Sequence, residues 1–348
     1  MKKKIFYILI ITSVGILILE IITRVLLMDE KTIPVVPAEI GEFDAYLGWK
    51  LKPNAIEKSS RTGYSIEYRI NSKGLRDDET TYDKPDSIYR IVLLGDSRTF
   101  GYGVPIEKHF SQTLEGFFRN VEIINMGVSG YGLDQLLIYL RSEGFKYDPD
   151  MVILYVAHYG DHRHMHTQRF GKQKPRFKLV DGELILTNSP IKKPEQSILK
   201  KINGWFRDRS VAYDIFYNGI KTLLSGTQLD AEVQQDLDKK NFENESFRKE
   251  LYELGEALVL QIAKETRDYG ATFVLVNQID SLHSACIRNN IYALKVFKPM
   301  SNRKFSLKDD LGHFNEAGSG VLSWEIEKFL EENNLMPLKY FENAQATY

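Results

Sequence analysis

Short apolar runs alternate with helical patterns along most of the chain. Buried strands are predicted where the runs are rich in β-branched residues, at Arg90–Leu94, Val121–Ile124, Met151–Val156 and Ala271–Val276. Helices are predicted between and after them by amphipathic spacing, at about 107–119, 133–144, 247–268 and 315–332. This order predicts an α/β protein with a parallel sheet of about five strands, covered by helices on both faces. In such sheets, functional residues collect in the loops that follow the carboxyl ends of the strands.

Two regions depart from this alternation. Residues 43–89 contain short alternating segments separated by turn residues, which predicts a small β-rich lead-in with its clearest strand at Tyr64–Ile70. Residues 162–240 interrupt the alternation of strands and helices, which predicts an insertion there. The α/β domain that contains this insertion is predicted to span residues 90–340. Inside the insertion, apolar residues alternate on both sides of Asp181-Gly182, which predicts a β-hairpin.

The amino terminus has the pattern of a membrane anchor. Lys2, Lys3 and Lys4 precede an uncharged run, Ile5–Leu19, which extends to 18 residues at Ile22 if Glu20 is tolerated. A helix of that length spans about 27 Å, close to the ~30 Å hydrocarbon core of a bilayer. The lysines should remain cytoplasmic and direct the remainder across the membrane. No small-residue cleavage site follows, so an uncleaved signal anchor over residues 1–28 is favoured over a cleaved signal peptide.

The anchor and the overall charge bear on location and partners. A linker is predicted at residues 29–42, and the domain beyond it is expected to be extracytoplasmic, in a bacterial periplasm or at a cell surface. The formal net charge of −1 provides no overall field for nucleic acid, so no nucleic-acid partner is expected. Between residues 163 and 209, however, there are 12 Lys and Arg against 4 Asp and Glu. This basic stretch predicts either a solvated surface or a lip for an anionic substrate or lipid headgroups.

Three short motifs lie where functional loops are predicted. Ser97 follows the first strand in Gly95-Asp96-Ser97, a position that can expose its hydroxyl at the edge of the sheet. Asp310 and His313 precede the last helix, and a carboxylate three residues from an imidazole can fix its tautomer. Gly130 ends a glycine-containing turn after the second strand, where backbone N–H groups can approach a substrate. Each motif alone is common in ordinary turns.

In this order and at these strand ends, the motifs resemble those of the SGNH hydrolases, also called GDSL esterases or lipases. The resemblance implies a three-layer α/β/α, flavodoxin-like fold and a reaction without a cofactor. It implies that Ser97 is the nucleophile, His313 the base and Asp310 the acid that orients it. It also implies an oxyanion hole formed by the N–H groups of Ser97 and Gly130. The segment Asn71–Asp77 is similar to one that precedes the GDS motif in membrane-anchored bacterial members.

One feature of the family is missing. Its third motif normally places an asparagine after the third strand, where the side-chain amide is another oxyanion donor. Here the corresponding position holds Tyr159, or Gly160 if the alignment shifts by one residue. Tyr159 through its phenol or His158 through its ring could donate instead. Either another group replaces the asparagine, or the enzyme is slow, or the fold is retained for binding.

Three functional hypotheses follow. The first is a serine-dependent ester hydrolase acting through an acyl-enzyme on an acylated glycan or lipid, or, with a sugar hydroxyl as acceptor, an O-acyltransferase of a surface polysaccharide. The second is a catalytically weak module that binds a surface polymer. The third is a metal-dependent hydrolase, because imidazoles at alternate positions of a strand could hold Zn²⁺ together with a carboxylate. Its ligands would be Asp161, His162, His164 and His166.

Overall fold

The computed structural model describes residues 40–61, 64–157, 163–194, 244–297, 302–308, 310 and 312–341, together with residues 15, 18–20, 22, 202, 206, 210 and 213. The chain divides into two compact units, one of residues 33–193 and 246–348 and the other of residues 1–32 and 194–245. In the second unit the Ser210 hydroxyl donates to Glu20 Oε2 at 2.7 Å.

The predicted anchor at residues 1–28 lies mostly outside the described residues, as does most of the predicted linker at 29–42. No helix among the residues that are described is long and apolar enough to cross a bilayer. The membrane anchor therefore stays a prediction.

Among the described residues of the larger unit, five parallel strands form the central sheet. They are β5 (Tyr89–Gly95), β6 (Val121–Gly127), β7 (Met151–Val156), β12 (Thr272–Asn277) and β13 (Tyr292–Lys295). Their spatial order is β13-β12-β7-β5-β6, so that the strands, numbered along the chain, lie in the order 5-4-3-1-2. This is the flavodoxin-like order, and it confirms the predicted parallel α/β fold. The four predicted strands are present, whereas β13 was not predicted.

Helices cover both faces of this sheet. They are α1 (Ser97–Phe100), α2 (Phe110–Glu115), α3 (Leu133–Ser142), α4 (Glu245–Tyr269), α5 (Asp280–Arg288) and α6 (Glu316–Glu332). One face packs against α2 and α6, whose buried residues share a core with alternate residues of the strands. The buried residues of α3, α4 and α5 lie outside this core and cover the opposite face. These layers give the predicted α/β/α arrangement.

The predicted helix at 107–119 is shorter in the structure. The α2 helix begins only after His109, whose ring accepts from the Ser111 N–H and whose own φ and ψ are extended. A short 3₁₀ helix, Ile106–Lys108, precedes it, and Gly116 ends it. The helical pattern in the sequence continues through both pieces, but only α2 contributes buried residues, whereas the 3₁₀ helix has none.

In the described ranges, four antiparallel strand pairs accompany the sheet. Two belong to the lead-in: β1 (Gly41–Asp44) with β2 (Gly48–Leu51), and β3 (Ile56–Arg61) with β4 (Tyr64–Arg69). Two belong to the predicted insertion: β8 (Gln168–Arg169) with β9 (Lys172–Gln173), and β10 (Arg176–Val180) with β11 (Glu183–Thr187). The predicted strand at Tyr64–Ile70 and the predicted hairpin around Asp181-Gly182 are thus confirmed.

Candidate active site

The loop after β5 places Ser97 at the carboxyl edge of the sheet. Asp96 caps α1, because its Oδ1 accepts from the Arg98 N–H at 3.0 Å. Two glycines allow this short helix to lie directly on the strands. A Cβ on Gly95 would lie 2.0 Å from Thr99 Oγ1, and one on Gly127 would lie 2.1 Å from Phe100 N. Larger residues there would push the Ser97 loop away from the sheet.

Ser97, His313 and Asp310 come together in one hydrogen-bonded line. Ser97 Oγ lies 2.7 Å from His313 Nε2, across 216 positions of sequence. His313 Nδ1 lies 2.9 Å from Asp310 Oδ2, and Asp310 Oδ1 accepts from the Gly312 N–H at 3.1 Å. Because a carboxylate only accepts, Nδ1 carries the ring proton and Nε2 is left to accept from the serine hydroxyl. The three residues predicted from the sequence are therefore hydrogen-bonded in a line, with the imidazole between the hydroxyl and the carboxylate.

The loop that carries His313 is fixed at several points. An antiparallel bridge joins Ser306 to Phe314, and the Leu307 N–H donates to His313 O at 3.0 Å. Asn315 then caps α6 by accepting from the Gly318 N–H at 2.9 Å, while its amide donates to Ser306 O at 3.0 Å. The imidazole therefore projects from a braced turn.

Asp96, the aspartate of the GDS motif, is held by two arginines. Its Oδ2 accepts from Arg163 at 2.7 Å and lies 3.4 Å from Arg98 Nη1. Burial alone would raise the pKa of Asp96, but the charges of Arg163 and Arg98 and the Arg98 N–H hold it well below its ordinary value. Arg163 also donates to Tyr131 O at 3.1 Å, next to Gly130. It thus links the loops that follow β5 and β6.

The turn that carries Gly130 lies beside the Ser97 loop. Gly130 has φ +85°, a left-handed conformation that favours glycine. Its loop lies beside that of Ser97, because Gly95 and Gly127 are paired in register and the Val128 N–H donates to Gly95 O at 3.1 Å. Within the described ranges, neither the Ser97 N–H nor the Gly130 N–H donates a hydrogen bond. No described residue therefore occupies the two predicted oxyanion donors, and both can bind a ligand.

Two residues that the sequence argument assigned no role support the Ser97 loop from the lead-in. Arg76 is buried and donates to Phe100 O at 2.9 Å, to Gly101 O at 2.5 Å and to Val104 O at 2.7 Å. Its neighbour Asp77 accepts from the Asn125 N–H at 2.8 Å, on β6. Both residues belong to Asn71–Asp77, the segment that the sequence resemblance singles out. In the structure this segment bonds the backbone after Ser97 and strand β6.

The Arg163 loop is itself held by a buried ion pair. Lys174 Nζ bonds Asp134 Oδ2, and both side chains are fully buried. The same ammonium donates to Arg163 O at 3.0 Å, His166 O at 3.2 Å and Pro175 O at 3.0 Å. Part of the predicted insertion therefore packs into the site. Lys174, which belongs to the basic stretch of residues 163–209, is buried and not solvated.

The backbone around His164 differs from the strand that the metal hypothesis requires. Arg163–Met165 forms a 3₁₀ helix instead. His164 is buried, and its Nε2 lies 3.0 Å from Leu251 O. Over the described ranges, no group of three metal-binding side chains could hold an ion. Asp161, His162, the candidate third oxyanion donors His158 and Tyr159, and the alternative alignment position Gly160 lie outside the described residues.

Comparison with known proteins gives structural likeness only. No protein-family model matches the chain, and no curated protein matches it. Among solved structures, it is similar to the psychrotrophic esterase EstA from Pseudoalteromonas sp., with 13% identity, coverage of 70% of this chain and 98% of that one, and a TM-score of 0.38.

Two further solved structures are similar to the same extent. TesA has 11% identity, coverage of 70% and 98%, and a TM-score of 0.39. A catalytic mutant of Axe2, an acetylxylan esterase from Geobacillus stearothermophilus, has 12% identity, coverage of 71% and 96%, and a TM-score of 0.37. At these identities and TM-scores we draw no conclusion about activity from the likeness.

Proposed function

We propose that the chain is a serine-dependent ester hydrolase that works through an acyl-enzyme. The supporting observation is the line from Ser97 Oγ to His313 Nε2, at 2.7 Å, and from His313 Nδ1 to Asp310, at 2.9 Å. Ser97 Oγ attacks the ester carbonyl carbon while His313 Nε2 takes the hydroxyl proton. His313 returns that proton to the departing alcohol, and Asp310 stabilises the imidazolium in between. Water then attacks the acyl-serine by the same steps.

The oxyanion would be held by the backbone N–H groups of Ser97 and Gly130. Donors of this kind act on charge that develops in the transition state, and the loss of one costs about 10²–10³ in rate elsewhere. Arg163 Nη1 does not take the place of the absent asparagine amide, because this nitrogen already donates to Asp96 and to Tyr131 O. We therefore expect measurable but modest turnover unless the segment after β7 supplies another donor.

The proposed setting is extracytoplasmic and tethered to a membrane. The support is the sequence pattern of three lysines followed by an 18-residue apolar run. Esters within reach of such a tether include acylated surface glycans and lipids, and we propose these as the substrate class. A sugar hydroxyl in place of water would make the same acyl-enzyme an O-acyltransferase.

A fluorophosphonate probe tests the nucleophile directly, because it phosphonylates only activated serines. With the full chain in detergent, we expect labelling of wild type, none of Ser97→Ala, and a loss of about 10³–10⁴-fold in labelling rate for His313→Ala. Asp310→Asn should slow labelling through the wrong imidazole tautomer. Labelling should be unchanged by a chelator.

Ser281→Ala is the matched control, since Ser281 is an exposed serine on α5. It should label like wild type. Folded wild type that does not label, while a known serine hydrolase does under the same conditions, would contradict the proposed function and favour the binding-module hypothesis. Labelling abolished by chelator would favour a metal-dependent reaction.

A further inference from the structure

The tip of the β8–β9 hairpin places an aromatic ring on the oxyanion glycine. Gln168 pairs with Gln173 and Arg169 with Lys172, which leaves Phe170 and Gly171 as a two-residue turn. A Cβ on Gly130 would lie only 2.4 Å from Phe170 Cε2, so the edge of the phenyl ring lies against the glycine backbone. The ring is therefore a wall of the proposed site.

The backbone at Phe170 is unusual for an aromatic residue. Phe170 has φ +52° and Gly171 has φ +69°, the signs of a type I′ turn. Asparagine and glycine are the residues that adopt this conformation easily, and a bulky side chain there costs about 1–2 kcal/mol. The conformation of this turn alone would therefore disfavour phenylalanine at this position. Such strain is typical of positions where the side chain is needed for function.

The ring is also exposed although it is large and apolar. Phe170 keeps 41% of its surface accessible, while Trp49, which meets it at a ring distance of 6.5 Å, keeps only 1%. Arg169 lies over the ring at 4.6 Å. Burial in the core therefore does not account for the phenyl group, which is partly open to solvent and borders Gly130.

Contacts on both sides of the β8–β9 hairpin hold Phe170 in place. Lys174 follows β9 and is pinned by Asp134 and three carbonyl groups. A Cβ on Gly48 would lie 2.4 Å from Gln173 O, so the lead-in packs closely on β9. The position of the ring relative to Gly130 is thereby fixed.

We propose that Phe170 is a substrate-contacting residue that selects esters carrying an apolar ring. This inference rests on the proposed function, since Gly130 is the oxyanion residue only there. A ring in the alcohol or in the acyl part would pack on the open surface of Phe170 while the carbonyl lies between Ser97 and Gly130. Aromatic contacts of this kind contribute enough to change selectivity by about two- to tenfold.

Hydrolysis of three simple esters by the full chain in detergent tests the proposal. Vinyl acetate has no ring, phenyl acetate carries a ring in the alcohol, and vinyl benzoate carries one in the acyl part. Phe170→Ala should lower kcat/KM for at least one ring-bearing ester by about fivefold or more and change that for vinyl acetate less than twofold. Phe170→Tyr keeps the ring and should retain wild-type selectivity.

Phe170→Asn separates a role in binding from a role in folding. Asparagine suits the turn, so this variant should unfold at a higher urea concentration than wild type and yet lose selectivity like Phe170→Ala. Trp324→Ala removes a similarly exposed aromatic residue from α6 and should change neither property.

Two results would overturn the inference. One is that Phe170→Ala and Phe170→Asn each change kcat/KM by the same factor for all three esters, or do not change it at all. The other is a loss of stability in both variants that accounts for the lost activity. If wild type shows no turnover that depends on Ser97, the proposed function itself fails and the inference falls with it, which is a distinct outcome.

Discussion

A single guanidinium supports the backbone that carries Ser97. Arg76 is only 1% exposed, and its three carbonyl acceptors lie at and just after the end of α1. Its charged plane also lies 4.5 Å from the Tyr68 ring centroid. Burial lowers the pKa of Arg76 to about 10, which leaves it charged at neutral pH. The carbonyl groups that end α1 thus have a permanent cationic partner.

Removing this guanidinium should destabilise the protein markedly. In Arg76→Met the three carbonyl groups lose their donor while still buried, so we expect the free energy of unfolding to fall by about 2–4 kcal/mol. Urea denaturation of the full chain would measure it. Arg69→Met is the matched control, because the Arg69 side chain is 70% exposed, and it should change stability by less than about 0.5 kcal/mol. Equal effects of the two variants would contradict this assignment.

Asp77 should make stability depend on pH. Burial raises the pKa of Asp77 to about 7, with the Asn125 N–H opposing and the nearby Glu115 carboxylate adding to the rise. The unfolded carboxyl releases its proton near pH 4, so the folded chain holds more protons between about pH 4 and 7. Stability from this group is therefore full below pH 4 and is lost as the pH rises to about 7.

Asp77→Asn should remove this contribution. Urea midpoints measured from pH 4 to 8 should fall less steeply for the variant than for wild type. Asp86→Asn, at an exposed residue, should retain the wild-type slope. Identical slopes for Asp77→Asn and wild type would show that Asp77 does not titrate in this range.

At the scale of elements, the Asp134–Lys174 pair joins the first turn of α3 to the β8–β9 hairpin. Burial raises the pKa of Asp134 and lowers that of Lys174, while the opposite charge of each partner resists the shift. Removal of one partner leaves a buried charge without compensation, so Lys174→Met should cost about 3–5 kcal/mol. The double variant Asp134→Leu, Lys174→Met should be more stable than the single variant.

A double-mutant cycle by urea denaturation would measure this coupling. The exposed pair Lys264–Asp268 on α4 provides the comparison and should give less than about 0.5 kcal/mol. Because the pair fixes the loop of Arg163, Lys174→Met should also slow fluorophosphonate labelling of Ser97. Additive single effects would show that the pair does not act as a unit.

The sequence predicts the elements with strong patterns and misses those that depend on distant contacts. The β7 strand is apolar throughout and β5 and β6 are largely apolar, so the sequence predicts all three. By contrast, β13 has only four residues, of which the two end residues are exposed, and it lies at the edge of the sheet. The roles of Arg76 and Phe170 were not predictable either, because their partners lie 24 to 28 and 40 positions away.

At the scale of the whole molecule, the predicted anchor should govern where the chain is found. Deletion of residues 1–28 should move it from the membrane pellet to the supernatant after ultracentrifugation. An alkaline phosphatase joined after residue 42 should be active, since that enzyme requires export. Deletion of residues 343–348, at the other terminus, should leave the chain in the pellet. A deletion variant lacking 1–28 that stays in the pellet would contradict the anchor.

The Ser97 loop is braced from both sides in sequence, by Arg76 before the first strand of the sheet and by Arg163 after the third. A fragment cut at Tyr89 would keep every strand of the sheet and every residue of the Ser97, His313 and Asp310 line. It would nevertheless lack the cation that holds the end of α1. Shortening the protein to its sheet should therefore yield a less stable and poorly reactive fragment, and transferring the site to another scaffold would require moving the lead-in as well.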